Sequence, residues 1–480
     1  MSYADFVKDK CLIDGKWCDA DSGKTLDVID PATDDVITTV PRMGAAETHR
    51  AIAAADAALP EWRARTAAHR AKVLRKLFDL MMEHQDDLGE LLTREQGKPV
   101  AEGKGEIAYS ASFIEWFAEE GKRAYGEVIP SHAQDKRIVT LRQPIGVVGA
   151  ITPWNFPSAM IGRKLGPALA AGCTMVLKPA SQTPLSALAI GVLAEKAGLP
   201  AGVLNIVTGS ASEIGGALTQ SPTVRKISFT GSTEVGRELM RQSADTIKKL
   251  SLELGGNAPF IVFDDADLDA AVEGALASKF RNGGQTCVCT NRFYVQSAVY
   301  DEFADKLAKR VSEMKLGAGT QDGVDIGPLI DEAAIEKVEE HLADAKSAGA
   351  QVKTGGSKSD LGRTWFEPTV LTGVTHDMLV AREETFGPLA ALIRFEDEAD
   401  AIAMANDTEF GLAGYFYARD ISRIWRVAEA IETGIVGINT GIISTEVAPF
   451  GGIKQSGLGR EGSRHGLDDY MEIKYLCMGI

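Results

Sequence analysis

The stretch NGGQTCVCTNR, residues 282–292, places Cys287 and Cys289 one residue apart among glycines, amides and hydroxyls. Structural cysteines prefer apolar neighbours, whereas small polar neighbours leave a thiol open to the close approach of a substrate. These residue types indicate a nucleophilic thiol, although the residues alone do not decide which of the two cysteines it is. The histidines are scattered singly and no second cysteine pair follows, so the spacing argues against a zinc site.

A carboxyl group that could act as a base lies in the apolar run LSLELGGNAPF, where Glu253 comes just before a pair of glycines. Burial in such a run would raise the pKa of Glu253 toward that of a useful general base. The alternative is a partly exposed glutamate on an edge strand.

Two strand ends could hold a phosphate-bearing cofactor. In KISFTGSTEVGREL a strand ends at Gly231 and Ser232 and a helix follows, so free backbone N–H groups would face an anion. The dinucleotide fingerprint and the Walker loop are both missing here, and a tight connection is the alternative. Lys178, after the strand-like run MVL, could contact a ribose hydroxyl or a phosphate, or could be a solvated surface lysine. Ser181 is uncharged, which leaves NADP admissible beside NAD.

The elements that must position these residues alternate between helix and strand patterns. Residues 44–123 show the three-to-four spacing of successive amphipathic helices. From Pro144, and again from about residue 258, short Val/Ile-rich runs each lead through glycine or small polar residues into a helical pattern, which predicts two parallel sheets wrapped by helices. Residues 126–143 and the tail MEIKYLCMGI read as strands, either of a protruding oligomerisation sheet or of an ordinary pair in the first domain.

Length and composition limit the class of protein. The 480 residues predict two or three domains, and 45% apolar with 25% charged residues is ordinary for a globular protein. A net charge of −16 argues against nucleic-acid and anionic-membrane partners. With no membrane-length apolar run and sparse cysteines, we expect a cytoplasmic protein with reduced thiols. The C-terminal CMGI resembles a prenylation box only loosely.

Seven motifs in order resemble the aldehyde dehydrogenase superfamily over essentially the whole chain. They are AITPWNFPSAM, VLKPA, FTGSTEVG, LELGGNAP, GQTCVC, EETFGP at 383–388, and PFGGIKQSGLGREG at 449–462. Within this superfamily, KFRNGGQTCVC and GIISTEVAPFGG are most similar to the bacterial-type succinate-semialdehyde dehydrogenases.

This resemblance implies roles for individual residues. Cys287 matches the nucleophile, Glu253 the general base, and Asn155 the side-chain donor of the oxyanion hole. The residues that match cofactor contacts are Trp154, Lys178, Ser181, Gly231, Ser232, Leu254, Glu384 and Phe386. Arg163, Arg281 and Ser444 match the residues that bind the distal carboxylate of a semialdehyde, and no metal is implied. Gly162, where the pattern leads us to expect threonine, and the small Gly284 are departures.

The resemblance also implies an α/β fold in three parts. A Rossmann-type cofactor domain would span 1–125 and 144–253, an α/β catalytic domain 254–454, and a small oligomerisation β-sheet 126–143 and 465–480. The implied function is NAD(P)-dependent oxidation of succinate semialdehyde to succinate through a cysteine thiohemiacetal and thioester, with NADP or NAD as cofactor, in GABA degradation. A homo-oligomer, dimer or tetramer, is the expected assembly.

Other functions remain open on the sequence. One is oxidation of another acidic semialdehyde such as glutarate semialdehyde, because one methylene discriminates by only about 1–3 kcal/mol. A second is a catalytically silent cofactor-binding structural protein, and a third is an acylating coenzyme A-dependent enzyme, which would not need Glu253. Cys289 is either inert or able to form a reversible disulfide with Cys287.

Overall fold

Two large β-sheets organise the chain, and helices cover both faces of each. The computed structural model describes residues 2–480. The helices are α1 (Ala45–Ala64), α2 (Ala67–Glu83), α3 (Gln85–Gln96), α4 (Val100–Glu120), α5 (Ala159–Ala171), α6 (Leu185–Ala197), α7 (Ala211–Gln220), α8 (Thr233–Ser243), α9 (Leu268–Lys279), α10 (Tyr300–Ser312), α11 (Glu332–Ser347), α12 (Leu379–Arg382), α13 (Glu398–Asn406), α14 (Ile421–Ala430) and α15 (His465–Asp468).

The strands are distributed over four sheets. They are β1 (Cys11–Ile13), β2 (Lys16–Cys18), β3 (Thr25–Ile29), β4 (Val36–Pro41), β5 (Val128–Ile129), β6 (Lys136–Pro144), β7 (Val147–Ile151), β8 (Thr174–Lys178), β9 (Leu204–Ile206), β10 (Val224–Thr230), β11 (Lys249–Glu253), β12 (Ala258–Val262), β13 (Thr290–Gln296), β14 (Gln351–Thr354), β15 (Thr369–Thr372), β16 (Leu389–Phe395), β17 (Ala413–Tyr417), β18 (Ile435–Ile438), β19 (Gly457–Leu458) and β20 (Met471–Gly479).

The first large sheet has the order β19-β11-β10-β7-β8-β9-β1-β2, and its five strands from β11 to β9 are parallel. Successive residues of β8 face opposite layers: Met175 and Leu177 pack with α2–α6, whereas Val176 packs with α1, α7 and α8. This period of two buries both faces of the sheet, which is why its strands read as continuous apolar runs.

The second large sheet has the order β14-β15-β16-β13-β12-β17-β18, and all strands except β14 are parallel. Helices α9 and α10 cover one face and α11 to α14 the other. The chain passes from the first sheet to the second between Glu253 and Ala258. The α/β fold with two parallel sheets that the sequence predicts is confirmed, as are the helices over residues 44–123.

The strands predicted at 126–143 and in the tail pair with each other. Strand β6 lies antiparallel between β20 and β5 in a three-stranded sheet that shares no strand with either large sheet. These strands therefore form a sheet of their own, and its role in oligomerisation stays a prediction. Apolar side chains of this small sheet remain open, since Val128 is 84% and Ile473 71% exposed. The N-terminal strands β1 to β4 were not predicted, because their runs are short and mixed in polarity.

No helix within residues 2–480 combines the length and the apolar character needed to cross a membrane.

Candidate active site

A pocket of about 230 Å³ opens at the carboxyl ends of the parallel strands of the first sheet. Ligands bind at this edge of parallel sheets because loops and helix N-termini converge there. The lining residues are Pro153, Trp154, Asn155, Phe156, Met160, Thr230, Gly231, Ser232, Leu254, Gly255, Cys287, Glu384 and Phe386. The structure thus brings most of the residues assigned to the site into one cavity, from segments far apart in sequence.

The loop that carries Cys287 is fixed by glycines and by buried amides. Asn282, Gly283 and Gly284 have φ values of 53°, 61° and 80°, a run of left-handed residues before the thiol. A Cβ atom on Gly284 would lie 2.3 Å from the carbonyl oxygen of Gly387, so only glycine fits at this departure from the expected pattern. The side chain of Gln285 donates to the Asn282 carbonyl at 3.0 Å, which closes the loop on itself.

Cys287 keeps part of its surface open toward the pocket. Burial and the nearby Glu384 carboxyl raise the pKa of its thiol to about 12, while Arg163 and Arg281 act in the opposite direction. The thiol is therefore protonated at neutral pH, and attack by its sulfur requires removal of the proton.

Asn155 lies beside this loop with its amide held in place. Its side-chain nitrogen donates to the Gln285 carbonyl at 3.0 Å, and its own backbone carbonyl accepts from Lys98 at 2.8 Å and from Asn282 at 3.0 Å. An amide nitrogen has two N–H groups, so one remains available. The backbone N–H of Cys287 donates to no acceptor among residues 2–480. These two donors could meet an oxygen that develops negative charge beside the sulfur.

Glu253 ends strand β11 and is 2% exposed. Neither carboxyl oxygen has a hydrogen-bond partner in the described part of the chain. Burial and the neighbouring Glu461 carboxyl raise the pKa of Glu253 well above 4.5. The alternative of a partly exposed glutamate on an edge strand is therefore wrong. A buried carboxyl group without hydrogen-bond partners lowers the stability of the fold. Such groups are typical of sites that transfer protons.

A buried polar chain connects the surroundings of Glu253 to Arg163. The Glu461 carboxylate accepts from Lys164 at 2.5 Å and from Arg163 at 3.3 Å, and these two residues are consecutive in α5. Lys164 also donates to Thr230 in the pocket lining at 2.7 Å. Sequence reasoning missed Lys164 and Glu461. In SAMIGRKLGPAL the adjacent Arg163 and Lys164 did not indicate a buried site, because buried lysines are rare.

Arg163 is 1% exposed and is the fifth residue of α5. Its guanidinium lies 5.0 Å from the ring centre of Phe113 and 4.3 Å from that of Phe450, and one nitrogen donates to the hydroxyl of Tyr109. A Cβ atom on the preceding Gly162 would lie 2.5 Å from the carbonyl oxygen of Ser110. Glycine at this second departure therefore lets α5 approach α4 closely and brings Arg163 to Tyr109.

Arg281 lies in the short 3₁₀ turn Arg281–Gly284, with its guanidinium 5.2 Å from the ring centre of Phe156. It forms no hydrogen bond or ion pair through its side chain with any of residues 2–480. Burial raises the pKa of Tyr109, and Arg163, Arg281 and Ser444 act in the opposite direction. The three predicted carboxylate-binding residues thus converge around Tyr109, outside the lining of the pocket. Tyr109 was missed, because nothing in the helical run IAYSASF marks it.

The N-terminus of α8 faces the pocket. Ser232 caps this helix by accepting from the Val235 N–H at 3.4 Å, while the N–H groups of Thr233 and Glu234 donate to no acceptor within residues 2–480. Free N–H groups together with the helix dipole could face an anion in the pocket. The role of this strand-to-helix turn as a phosphate site stays a prediction.

Lys178 and Ser181 lie outside this pocket. Lys178 is 4% exposed, and its ammonium makes one hydrogen bond within the described chain, to the Pro179 carbonyl at 3.1 Å. Burial lowers the pKa of Lys178 to about 8. The alternative that Lys178 is a solvated surface lysine is therefore wrong. An ammonium group can donate three hydrogen bonds, so a ligand could accept the remaining ones. Ser181 instead lines a neighbouring cavity of about 550 Å³.

The loop with Glu384 and Phe386 is anchored from behind by residues that sequence reasoning missed. The side chain of Asn291 donates to the Glu383 carbonyl at 2.7 Å, and His341 hydrogen-bonds to Thr385 at 3.1 Å. Glu384 accepts from the Gly256 N–H at 3.0 Å, and burial raises the pKa of Glu384 to about 7. The Phe386 ring meets Trp154 edge-on with centroids 5.6 Å apart. The anchors leave both groups aimed into the pocket.

Cys289 differs from Cys287 despite its similar sequence neighbours. It is 7% exposed, and its thiol donates to the carbonyl oxygens of Lys279 at 3.2 Å and of Thr290 at 3.4 Å. Both cysteines are free thiols. Of the two cysteines only Cys287 lines the pocket, which favours Cys287 as the nucleophile.

The α/β fold and the pocket place a cysteine beside the strand ends and the N-terminus of α8. The chain belongs to the aldehyde dehydrogenase family, whose model matches residues 17–476.

Among curated relatives, it is 66% identical over 480 residues to the succinate-semialdehyde dehydrogenase [NADP(+)] of Escherichia coli (strain K12), covering 100% of both chains. It is also 66% identical to the glutarate-semialdehyde dehydrogenase of Pseudomonas aeruginosa, covering 100% of this chain and 99% of that protein. The solved succinate-semialdehyde dehydrogenase of Burkholderia pseudomallei superposes with a TM-score of 0.99 at 64% identity, over 99% of each chain.

Proposed function

We propose that the chain oxidises succinate semialdehyde to succinate, with NADP as the preferred cofactor and NAD admissible. The observation that carries the substrate class is the pair of arginines beside the nucleophile: both Arg163 and Arg281 act electrostatically on the Cys287 thiol. Arg281 is free of hydrogen-bonded partners in the described chain. Two guanidinium groups near the reacting sulfur favour an aldehyde with a carboxylate at its far end.

The reaction follows from the geometry. The Cys287 thiol gives its proton to water and its sulfur attacks the aldehyde carbon, and the Asn155 amide and the Cys287 N–H stabilise the oxyanion. A nicotinamide cofactor, when bound, would supply the hydride acceptor, and loss of hydride would leave a thioester on Cys287. Glu253 then takes a proton from the water that hydrolyses the thioester on Cys287, which releases the acid and restores the thiol. Retention of Glu253 argues against an acylating coenzyme A-dependent enzyme.

The residues fit a nicotinamide dinucleotide. The free N–H groups at the start of α8 would hold its pyrophosphate, and the partner-poor ammonium of Lys178 would bind a ribose hydroxyl or phosphate. Ser181, close by in sequence, adds no negative charge to repel a 2′-phosphate. Gly231, Ser232 and Leu254 would contact the cofactor at the strand ends.

Glu384 would contact the nicotinamide ribose, and Phe386 with Trp154 would flank the ring. The relative from Escherichia coli is named for NADP(+), which supports the same preference here.

The first large sheet, with residues 1–125 and 144–253, would be the cofactor domain, and 254–454 the catalytic domain. The exposed apolar side chains of the small sheet formed by 126–143 and 465–480 suit pairing between copies of the chain, as a dimer or tetramer. A cytoplasmic location and a place in GABA degradation complete the proposal.

Glutarate semialdehyde is a second candidate substrate, because the chain is 66% identical both to a glutarate-semialdehyde and to a succinate-semialdehyde dehydrogenase. One methylene changes binding by about 1–3 kcal/mol.

The deciding experiment measures kcat/KM from the absorbance of the reduced cofactor for succinate semialdehyde, glutarate semialdehyde and propanal, with NADP and with NAD. Equal efficiency with propanal would refute the acid-binding assignment. No cofactor reduction with any aldehyde would favour the silent structural protein.

A further inference from the structure

The guanidinium of Arg163 is buried, and both of its terminal nitrogens already have partners in the protein. One terminal nitrogen pairs with Glu461 at 3.3 Å, the other donates to the Tyr109 hydroxyl, and Nε has no partner among residues 2–480. Two aromatic rings, those of Phe113 and Phe450, lie against the guanidinium, and the side chain is 1% exposed. A substrate carboxylate therefore meets this charge through whatever group lies between Arg163 and open space.

Tyr109 is in direct contact with Arg163 through its hydroxyl. It is partly exposed, whereas the Arg163 behind it is not. Its ring is held edge-on against Phe113 with centroids 5.1 Å apart, which fixes the direction of the hydroxyl. Arg281 and Ser444 also act on this hydroxyl, since both oppose the rise that burial causes in the pKa of Tyr109. One phenol thus joins all three residues assigned to carboxylate binding.

The chemistry of a phenol suits this position. Its oxygen accepts from the Arg163 guanidinium, and its own O–H remains free to donate. A hydroxyl polarised by a cation is a stronger donor, and a carboxylate is the acceptor that gains most from it. Burial raises the pKa of Tyr109 despite the opposing effect of Arg163, so the phenol keeps its proton at neutral pH.

We propose that Tyr109 is a specificity-determining residue whose hydroxyl donates to the distal carboxylate of the substrate and passes the charge of the buried Arg163 to it. Arg281 and Ser444 complete the subsite from the other sides. This inference rests on the proposed oxidation of an acidic semialdehyde. It assigns to the Tyr109 hydroxyl the preference for aldehydes that carry a carboxylate.

The test compares the preference for succinate semialdehyde over propanal, as a ratio of kcat/KM values, in the wild-type enzyme and in Tyr109→Phe. Loss of a hydrogen bond to a charged group predicts a fall of roughly 10- to 100-fold in this preference. The fall should come from a higher KM for succinate semialdehyde, with both constants for propanal within about 2-fold of the wild type. Inhibition of propanal oxidation by added succinate should weaken by a similar factor.

Two further variants keep the result interpretable. Tyr109→Met fills a similar space without a hydroxyl, so it should lose the preference as well. It replaces Tyr109→Phe in the test if that variant fails to fold. Tyr300→Phe is the matched control, because it removes a hydroxyl that donates to the Leu392 carbonyl at 3.0 Å, away from the site. This control should keep the wild-type preference.

The outcomes separate the two levels of the proposal. A wild-type enzyme without preference for the acid would refute both the proposed function and the role of Tyr109. A wild-type preference that persists in a folded Tyr109 variant would refute the role of Tyr109 alone. An equal loss of kcat/KM for succinate semialdehyde and propanal would show that Tyr109 merely supports the fold.

Discussion

The two ends of the site differ in how their surroundings affect ionisation. The reaction end is formed by Cys287, Glu253 and Asn155. The recognition end is formed by Arg163, Arg281, Tyr109 and Ser444. At the reaction end, burial raises the pKa of the Cys287 thiol to about 12 and that of the Glu253 carboxyl well above 4.5. At the recognition end, Arg163 keeps its charge beside Glu461, and the net effect of its surroundings is to raise its pKa.

This difference separates two tasks. Groups whose burial makes ionisation costly are suited to passing protons during a reaction. Groups that stay charged are suited to holding a charged substrate at any pH of interest. We therefore expect pH to change the rate of turnover while the preference for acidic aldehydes stays nearly constant. Changes at either end should show which task fails.

The largest effect is expected from Cys287→Ser at the reaction end. A serine hydroxyl is a poor nucleophile without an adjacent base, so aldehyde oxidation should fall by roughly 10⁴-fold or more. Cofactor binding, followed by fluorescence titration, should change little. Cys477→Ser, at an exposed thiol, serves as the control and should retain full activity. Substantial turnover by Cys287→Ser would refute the assignment of the nucleophile.

Glu253→Gln should stall the second half of the reaction. Loss of a general base costs about 10²- to 10⁴-fold, and here the loss should fall on thioester hydrolysis. Rapid mixing should then show one turnover of cofactor reduction followed by near arrest. Loss of the first turnover as well would contradict this division of roles.

The pH dependence of the wild-type enzyme follows from the same carboxyl group. Because the pKa of Glu253 is raised, the carboxyl is protonated and unable to accept a proton below that raised value. Hydrolysis should therefore slow as pH falls through it, with an acidic limb in kcat well above pH 4.5. Glu253→Gln should lack this limb, and its persistence in the variant would assign it to another group.

Arg281→Met tests the recognition end. Removing a guanidinium that binds a carboxylate should reduce the preference for succinate semialdehyde over propanal on the order of 10²-fold. The propanal rate should fall much less, because Arg281 acts on the reaction end only through its electrostatic effect on the Cys287 thiol. Arg310→Met, an exposed arginine on α10 that pairs with Glu273, is the control. A parallel loss for both aldehydes would contradict separate tasks for the two ends.

Much of the fold was predictable, because its information is local. Continuous apolar runs ending in small residues gave the parallel strands, and three-to-four spacing gave α1 to α4. The clustering of Trp154, Gly231, Leu254 and Glu384 was accessible only through the family motifs. These residues are far apart in sequence and lie together because several strands end at the same edge of the sheet. Their spacing along the chain therefore does not predict that they form one site.

The environment of each group was the part that the sequence did not carry. Tyr109 and Glu461 gain their importance from α4 packing on α5 and from the C-terminal segment folding back, which are non-local contacts. The raised pKa of Cys287 depends on burial and on Glu384, neither of which its polar neighbours in the chain reveal. Gly162 and Gly284 looked like departures from a pattern, and each is explained by a backbone oxygen within 2.5 Å of the missing Cβ.

The smallest effect is expected at Cys289, which shares the loop but neither task. Its thiol donates to the Lys279 and Thr290 carbonyls and faces away from the pocket, so a bridge to Cys287 would have to break both contacts. A disulfide across a single intervening residue is also strained. We therefore expect Cys289→Ala to keep activity within about 2-fold, since the lost hydrogen bonds stabilise the fold by only about 1 kcal/mol.

Peroxide should then inactivate this variant and the wild-type enzyme at the same rate, with equal recovery in dithiothreitol. Reversible inactivation that requires Cys289 would instead establish a regulatory disulfide.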